Sequence, residues 1–270
     1  MIRKITSLIL VAFVFVSCST NAITGRKQLK LVSESELQAM ATDQYQQFLS
    51  SNKVVSASND RDAEMVKRVG QRIATAVTNY FKEKGMGDQL AGYKWEYNLV
   101  DNKEVNAWCM PGGKIVVYTG LLPISQNEAA LAIVLGHEVT HAVLQHGAER
   151  MSQGLIQQLG GAALSVALSS QPAATQNLFL QAYGIGSTVG VLLPFSRKEE
   201  SEADHYGLIW AAMAGYNPRE AINLWQRMQK AANGQEPAAF LSDHPATSDR
   251  IAQIQKWMPE ALKYYKPMGR

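Results

Sequence analysis

From Ala129 to Leu135 the chain is apolar at seven successive positions, and one glycine later it reads His137-Glu138-Val139-Thr140-His141. A helix that is apolar all round belongs in the interior of a fold. The three ionisable side chains on this helix go into the interior with it. Burial there is costly unless they are paired or hold a cation. Positions four apart share one helical face, so His137 and His141 can reach a single ion. Glu138 is one step round the helix, placed to flank that ion without ligating it and to take a proton from water. Zinc suits such a site. It binds imidazole well, keeps an open position in catalytic centres and lowers the pKa of its water to roughly 7.

A catalytic zinc site takes a third protein ligand. The acidic stretch Arg197-Lys198-Glu199-Glu200-Ser201-Glu202-Ala203-Asp204 supplies the carboxylates. Glu200 and Asp204 are four apart and share a helical face. One can bind the ion while the other accepts a hydrogen bond from a ligating histidine, which fixes the tautomer. Spacing alone does not choose among Glu199, Glu200 and Glu202.

The rest of the chain reads as one helix-dominated α+β domain over residues 33–270. Ser33 with Glu36, and Ser125 with Glu128, have the spacing of capping boxes that open helices. Apolar spacing predicts a helix over 61–81. Trp95–Val100 and Lys114–Tyr118 read as strands, and Pro111-Gly112-Gly113 marks a turn where antiparallel strands meet. Asn217-Pro218-Arg219-Glu220 opens a helix running to about Ala232. Residues 154–194 read as a helical hairpin beside the site, too interrupted by Gln171, Pro172, Gln176 and Gln181 for a membrane span. His146 and His205 read as structural or surface residues, and Cys109 as a small buried hydrophobe.

The N-terminus has the pattern of an address. Arg3 and Lys4 precede an apolar run, Leu8 to Val16, of signal-peptide length. Phe15-Val16-Ser17-Cys18 resembles the lipobox of bacterial lipoproteins. That implies removal of residues 1–17, a lipid on Cys18, and a tether over 18–32. Ser19 after the cysteine resembles outer-membrane lipoproteins of Gram-negative envelopes, facing the periplasm. The net charge is +3, and +1 once residues 1–17 are set aside, so nothing in the chain attracts nucleic acid.

Several motifs together resemble the family of the CAAX prenyl protease and HtpX, in its soluble lipoprotein branch similar to BepA. They are Thr24-Gly25-Arg26-Lys27-Gln28-Leu29, Asn106-Ala107-Trp108 with Pro111-Gly112-Gly113, the HExxH, Leu193-Pro194-Phe195-Ser196-Arg197, Glu200 with Asp204, and His244-Pro245. The resemblance implies a zincin-like, thermolysin-like fold with a small antiparallel sheet and one zinc ion. It implies His137, His141 and Glu200 as ligands, Glu138 as general base, and Asp204 as partner of a ligating histidine. It makes Asn106, Ala107 and Trp108 the edge strand that receives an extended peptide, with His244 near the metal and Arg250 close by. It also implies a zinc endopeptidase acting on unfolded or misassembled envelope polypeptides. The rival readings are a latched lipoprotein chaperone and a metallohydrolase acting on something other than protein.

Overall fold

The computed structural model describes residues 18–159, 172–185, 195–232, 240–241, 244 and 249–267. A short hairpin comes first, β1 (Cys18–Thr20) against β2 (Lys27–Leu29), followed by helix α1 (Glu34–Ser51). Strand β3 (Val54–Val55), helix α2 (Arg61–Glu83) and strands β4 (Glu96–Val100), β5 (Ala107–Met110) and β6 (Lys114–Tyr118) complete the N-terminal half. Helices α3 (Glu128–Val143), α4 (His146–Leu159), α5 (Pro172–Ala182), α6 (Arg197–Met213), α7 (Glu220–Ala232) and α8 (Arg250–Tyr264) follow. The fold is helix-dominated α+β, as the sequence indicates, with one four-stranded sheet beside the two-stranded hairpin among the described residues. Among the described residues no helix is long and apolar enough to cross a membrane.

The sheet has the order β3-β4-β6-β5. Its β3–β4 and β5–β6 pairs are antiparallel, but β4 and β6 run parallel. The Pro-Gly-Gly turn therefore joins β5 to β6, not the two longer strands to each other. Gly112 and Gly113 both take positive φ there, at 76° and 80°, which glycine adopts without strain. The connection from β4 to β5 returns the chain to the same end of the sheet, so a parallel pair arises that a turn signal cannot reveal.

Period-2 alternation divides the strands between two cores. Leu99, Ala107, Cys109, Ile115 and Val117 face the larger core with α2, α3, α6, α7 and α8. Val100, Trp108, Met110, Val116 and Tyr118 face a second core under α1, α4 and α5. Helix α3 runs through the middle, buried from Ala130 to Val143, as its all-round apolar character requires.

The Ser33–Glu36 capping box forms as expected. The one expected at Ser125 does not. Ser125 ends a separate helical turn, and Asn127 caps α3 by accepting from the Ala130 amide at 2.9 Å. Glu128 instead pairs with Arg68 at 2.6 Å. The hairpin expected over 154–194 is described only in part. Helices α4 and α5 pack closely, since a Cβ on Gly154 would lie 2.5 Å from Leu178 Cδ1. Residues 160–171 and 186–194 lie outside the described residues.

Residues 18–32, read as a tether, fold onto the domain. The Asn21 and Gln28 side-chain amides both donate to Leu144 O, at 3.1 and 2.9 Å. Leu144 is the C-cap of α3, so the hairpin satisfies a carbonyl that the helix end leaves open. The signal segment, 1–17, and the Cys18 side chain lie outside what is described.

Candidate metal centre

Two helices build the site where their backbones nearly touch. A Cβ on Gly136 would lie 2.6 Å from Gly207 O, and one on Gly207 would lie 2.8 Å from His137 N. Only a glycine pair permits that approach. Helix α3 presents His137, Glu138 and His141 at this crossing, and α6 presents Glu200 and Asp204 from the turns before Gly207. Thr140 stabilises the same crossing by accepting from Trp210 Nε1 at 2.8 Å.

Four side chains converge. His137 Nε2 lies 3.0 Å from His141 Nε2 and 3.1 Å from His244 Nδ1. Glu200 Oε1 lies 2.8 Å from His244 Nδ1 and 3.3 Å from His141 Nε2. One ligand atom from each of His137, His141, Glu200 and His244 falls within 4.8 Å of all the others. Glu138 flanks the group, its Oε1 3.5 Å from His244 Nε2. None of the five residues is more than 5% exposed, so the cluster is closed to solvent in this arrangement.

The acidic stretch divides its labour. Glu199 completes the capping box of α6 with Ser196, its carboxylate accepting from the Ser196 amide at 2.7 Å. Glu202 faces away from the cluster and accepts from His146 Nε2 at 2.8 Å and from Arg26 Nε at 2.9 Å. Glu200 alone of the three enters the cluster. Asp204 Oδ1 accepts from His137 Nδ1 at 3.0 Å. Arg250 donates to Asp204 Oδ1 through Nη2 at 2.7 Å and is ion-paired through Nε with Asp204 Oδ2 at 2.6 Å and through Nη1 with Glu200 Oε2 at 3.0 Å. The guanidinium lies 3.4 Å over the Trp225 ring. Pro245 lies outside the described residues.

The electrostatics suit a cation. Burial lowers His137 below its usual range, against the opposing pull of Glu200 and Asp204. Burial lowers His141 well below it. Burial would raise the Glu200 carboxyl, but His244, Arg250 and His137 outweigh it and hold the group well below the usual carboxylate range. Burial thus opposes charge on the two imidazoles, while the cluster favours it on Glu200. The His137 Nδ1–H donates to Asp204 at 3.0 Å, and His141 Nδ1 meets His146 Nδ1 at 2.9 Å. His137 Nε2 therefore turns its lone pair into the cluster, 3.0 Å from His141 Nε2 and 3.1 Å from His244 Nδ1. Three imidazoles and a carboxylate thus converge in a buried space, and this donor set fits a metal ion of zinc's ligand preference.

Sequence reasoning missed three contributors. His146, read as structural or surface, is fully buried and hydrogen-bonded to His141. Phe195 stacks on the His141 ring with centroids 3.8 Å apart, and the Arg150 guanidinium covers its other side at 3.8 Å. The signal for His146 was its place five residues after His141, at the end of the same apolar run. His205 does stay peripheral, paired with Glu260 at 2.8 Å on the surface.

The strand expected to receive a peptide is buried. Strand β5 is the terminal strand of its sheet and packs against α3. Asn106, Ala107 and Trp108 are all buried. The Trp108 indole belongs to the second core, edge-on to Tyr45 and Phe48. Whatever this strand offers a substrate is therefore backbone, not indole. Cys109, on the opposite face, is buried as expected, and burial pushes its thiol well up.

Fold and site together define a metallopeptidase domain of zincin type: a buried HExxH helix crossed by a second helix that brings in a carboxylate, beside a small sheet. Residues 60–258 match the model of peptidase family M48, and the chain belongs to that family. The mitochondrial metalloendopeptidase OMA1 of Schizosaccharomyces pombe is 35% identical over 243 residues, which is 88% of this chain and 66% of that protein. Metalloprotease LoiP of Escherichia coli (strain K12) is 27% identical over 236 residues, 87% of this chain and 86% of its own. Metalloprotease YcaL of the same organism is 25% identical over 226 residues, 83% and 80% respectively. The chain spans 66% of the fission-yeast relative and 51% of the Saccharomyces cerevisiae one.

Proposed function

We propose that this chain is a zinc-dependent endopeptidase. The observation that carries the reading is the convergence of His137, His141 and Glu200 on one point, with Glu138 beside it. These three residues would hold the zinc. When bound, zinc polarises the scissile carbonyl and makes hydroxide available at neutral pH. Glu138 takes the proton from the attacking water and passes it to the leaving amine nitrogen. Asp204 orients His137 through Nδ1, and Arg250 fixes Asp204. An extended peptide adds to the backbone of Asn106, Ala107 and Trp108, in a main-chain mode that tolerates varied sequences. The names of the relatives, metalloendopeptidase and metalloprotease, support peptide-bond hydrolysis over other hydrolytic chemistry.

His244 occupies the fourth position at rest in this reading and keeps the enzyme latched. The place of its Nδ1 among the ligand atoms, and the closure of the cluster to solvent, support that role. A lipid on Cys18 anchors the protein at the outer membrane facing the periplasm, in a lipoprotein branch similar to BepA. Its substrates are unfolded or misassembled envelope polypeptides. The second reading, a mainly latched chaperone or assembly factor for outer-membrane proteins, is favoured by the same closure.

Metal analysis and casein digestion by the mature protein, with Glu138→Gln alongside, test the proposal. Wild type should carry one zinc and digest casein. Glu138→Gln should keep the zinc and lose activity by on the order of a thousandfold. Zinc retained with unchanged hydrolysis would remove Glu138 from the mechanism.

A further inference from the structure

The two histidines of the HExxH motif are held from outside in different ways. His137 donates directly to a carboxylate, Asp204. Among the described residues His141 meets no carboxylate at its Nδ1. It meets Nδ1 of His146 at 2.9 Å, and His146 Nε2 meets Glu202 Oε2 at 2.8 Å. Donors and acceptors run in one direction only once His141 Nε2 is committed to a cation. His141 Nδ1–H then donates to His146 Nδ1, and His146 Nε2–H donates to Glu202. His146 is wholly buried, so its ring has no water to turn towards.

The chain of contacts continues to the N-terminal hairpin. Arg26 donates to Glu202 through Nε at 2.9 Å and Nη2 at 3.2 Å, and to Glu149 Oε1 through Nη1 at 2.9 Å. Glu149 stands on the same helix as His146, one turn on. Arg26 therefore ties α4 to α6 across the outer end of the relay. Its own position is fixed by the tight loop of the hairpin. Asn21 N donates to Arg26 O and Gly25 N to Asn21 O, both at 2.8 Å, with Gly25 at φ 69°. The same hairpin holds the end of α3 through Leu144 O.

We propose that His146 is a positioning residue for the metal centre, holding His141 in the Nδ1–H tautomer through a relay to Glu202, and that Arg26 clamps this relay so that docking of the N-terminal hairpin sets metal affinity. The inference rests on the zinc reading above. A hydrogen-bond partner on the far nitrogen raises the basicity of a ligating imidazole and fixes its plane, and loss of such a partner typically costs ten- to a hundredfold in affinity.

The test is zinc affinity, measured by competition with a chromophoric chelator on the mature chain carrying Cys18→Ser. Melting curves of the zinc-free proteins report fold. His146→Leu removes the acceptor and should weaken zinc binding about 10- to 100-fold. His146→Asn restores an acceptor oxygen near the position of Nδ1 and should recover most of that loss. A merely structural histidine would not show this split. Arg26→Gln should weaken zinc binding too. In a relay, its effect should shrink or vanish on the His146→Leu background, because coupled positions are not additive. Folded His146→Leu with wild-type zinc affinity overturns the relay, and full additivity with Arg26→Gln overturns the clamp. Should His146→Leu fail to fold, Glu202→Ala, which removes the acceptor for His146 Nε2–H, replaces it, and wild-type affinity in that variant is equally fatal. Glu200→Ala serves as the control: if it binds zinc as tightly as wild type, the ligand assignment itself falls, and the relay with it.

Discussion

At the scale of single residues, the acidic stretch before Asp204 shows what one dimension can and cannot say. Glu199, Glu200 and Glu202 are alike in type and nearly adjacent. Their roles diverge because a helix turns about 100° per residue. Glu199 falls at the third position of α6 and caps it, Glu200 faces α3, and Glu202 faces α4 and Arg26. Glu200→Ala should therefore abolish metal binding, checked by metal analysis after dialysis. Glu199→Ala should leave the metal in place and cost about 1 kcal/mol through the lost cap. Metal lost from Glu199→Ala and retained in Glu200→Ala would reverse the assignment. The pair His137 and His141 was legible because its spacing is local to one helix. His146 was not, because its partner Glu202 is 56 positions further along the chain. His244 lies beyond local reasoning altogether, 107 positions from His137, and entered the sequence reading only through resemblance. If it latches the centre, folded and zinc-loaded His244→Ala should cleave an unfolded substrate faster than wild type. A slower enzyme would instead make His244 a donor to the oxyanion.

At the scale of elements, the site depends on one helix crossing. The sequence reading found both helices, and the all-round apolar character of α3 located it in the core. Resemblance put Glu200 and Asp204 of α6 beside the histidines of α3, but the backbone contact at which the helices cross was not found, because nothing in either segment states it. The crossing is written in Gly136 and Gly207, two small residues whose meaning appears only when the helices are placed together. Gly207→Ala tests this directly. Its Cβ would lie 2.8 Å from the His137 backbone nitrogen, closer than real contacts allow, and that neighbour is backbone which cannot rotate away. The helices must separate, at an expected cost of 1–3 kcal/mol by overpacking. Because Glu200 and Asp204 ride on α6, the zinc affinity should fall with the stability. Chemical denaturation and chelator competition on the same variant check both, and an unchanged midpoint would mean that the crossing is less tight than drawn. The sheet was legible in the same partial way. Alternation marked β4 and β6, and Pro-Gly-Gly marked a turn, but the parallel pairing of β4 with β6 is a matter of topology, not of local pattern.

At the scale of the whole molecule, the segment after Cys18 links the proposed anchor to the centre. Cys18 opens β1 and pairs with Leu29, so little slack separates the expected lipid from the folded domain. Eight residues after Cys18, Arg26 reaches Glu149 and Glu202, both on helices adjoining the metal centre. With a lipid on Cys18, as proposed, a loose tether would hold the domain at a variable distance from the membrane, whereas a docked hairpin would hold it close. Cys18→Ser separates anchoring from folding. The hairpin's bonds to Leu144 O come from Asn21 and Gln28, and the clamp from Arg26, so none needs the cysteine side chain. The variant should fold, bind zinc with wild-type affinity and move from the membrane to the soluble fraction of the envelope. The multiple acyl chains of a lipoprotein supply the membrane affinity that a single chain does not. No helix among the described residues can substitute for them as a span. Fractionation after alkaline washing decides the matter. A Cys18→Ser protein that stays wholly with the membrane would show that something other than the lipid holds it there, with the apolar run from Leu8 to Val16 retained as an anchor the first alternative to examine.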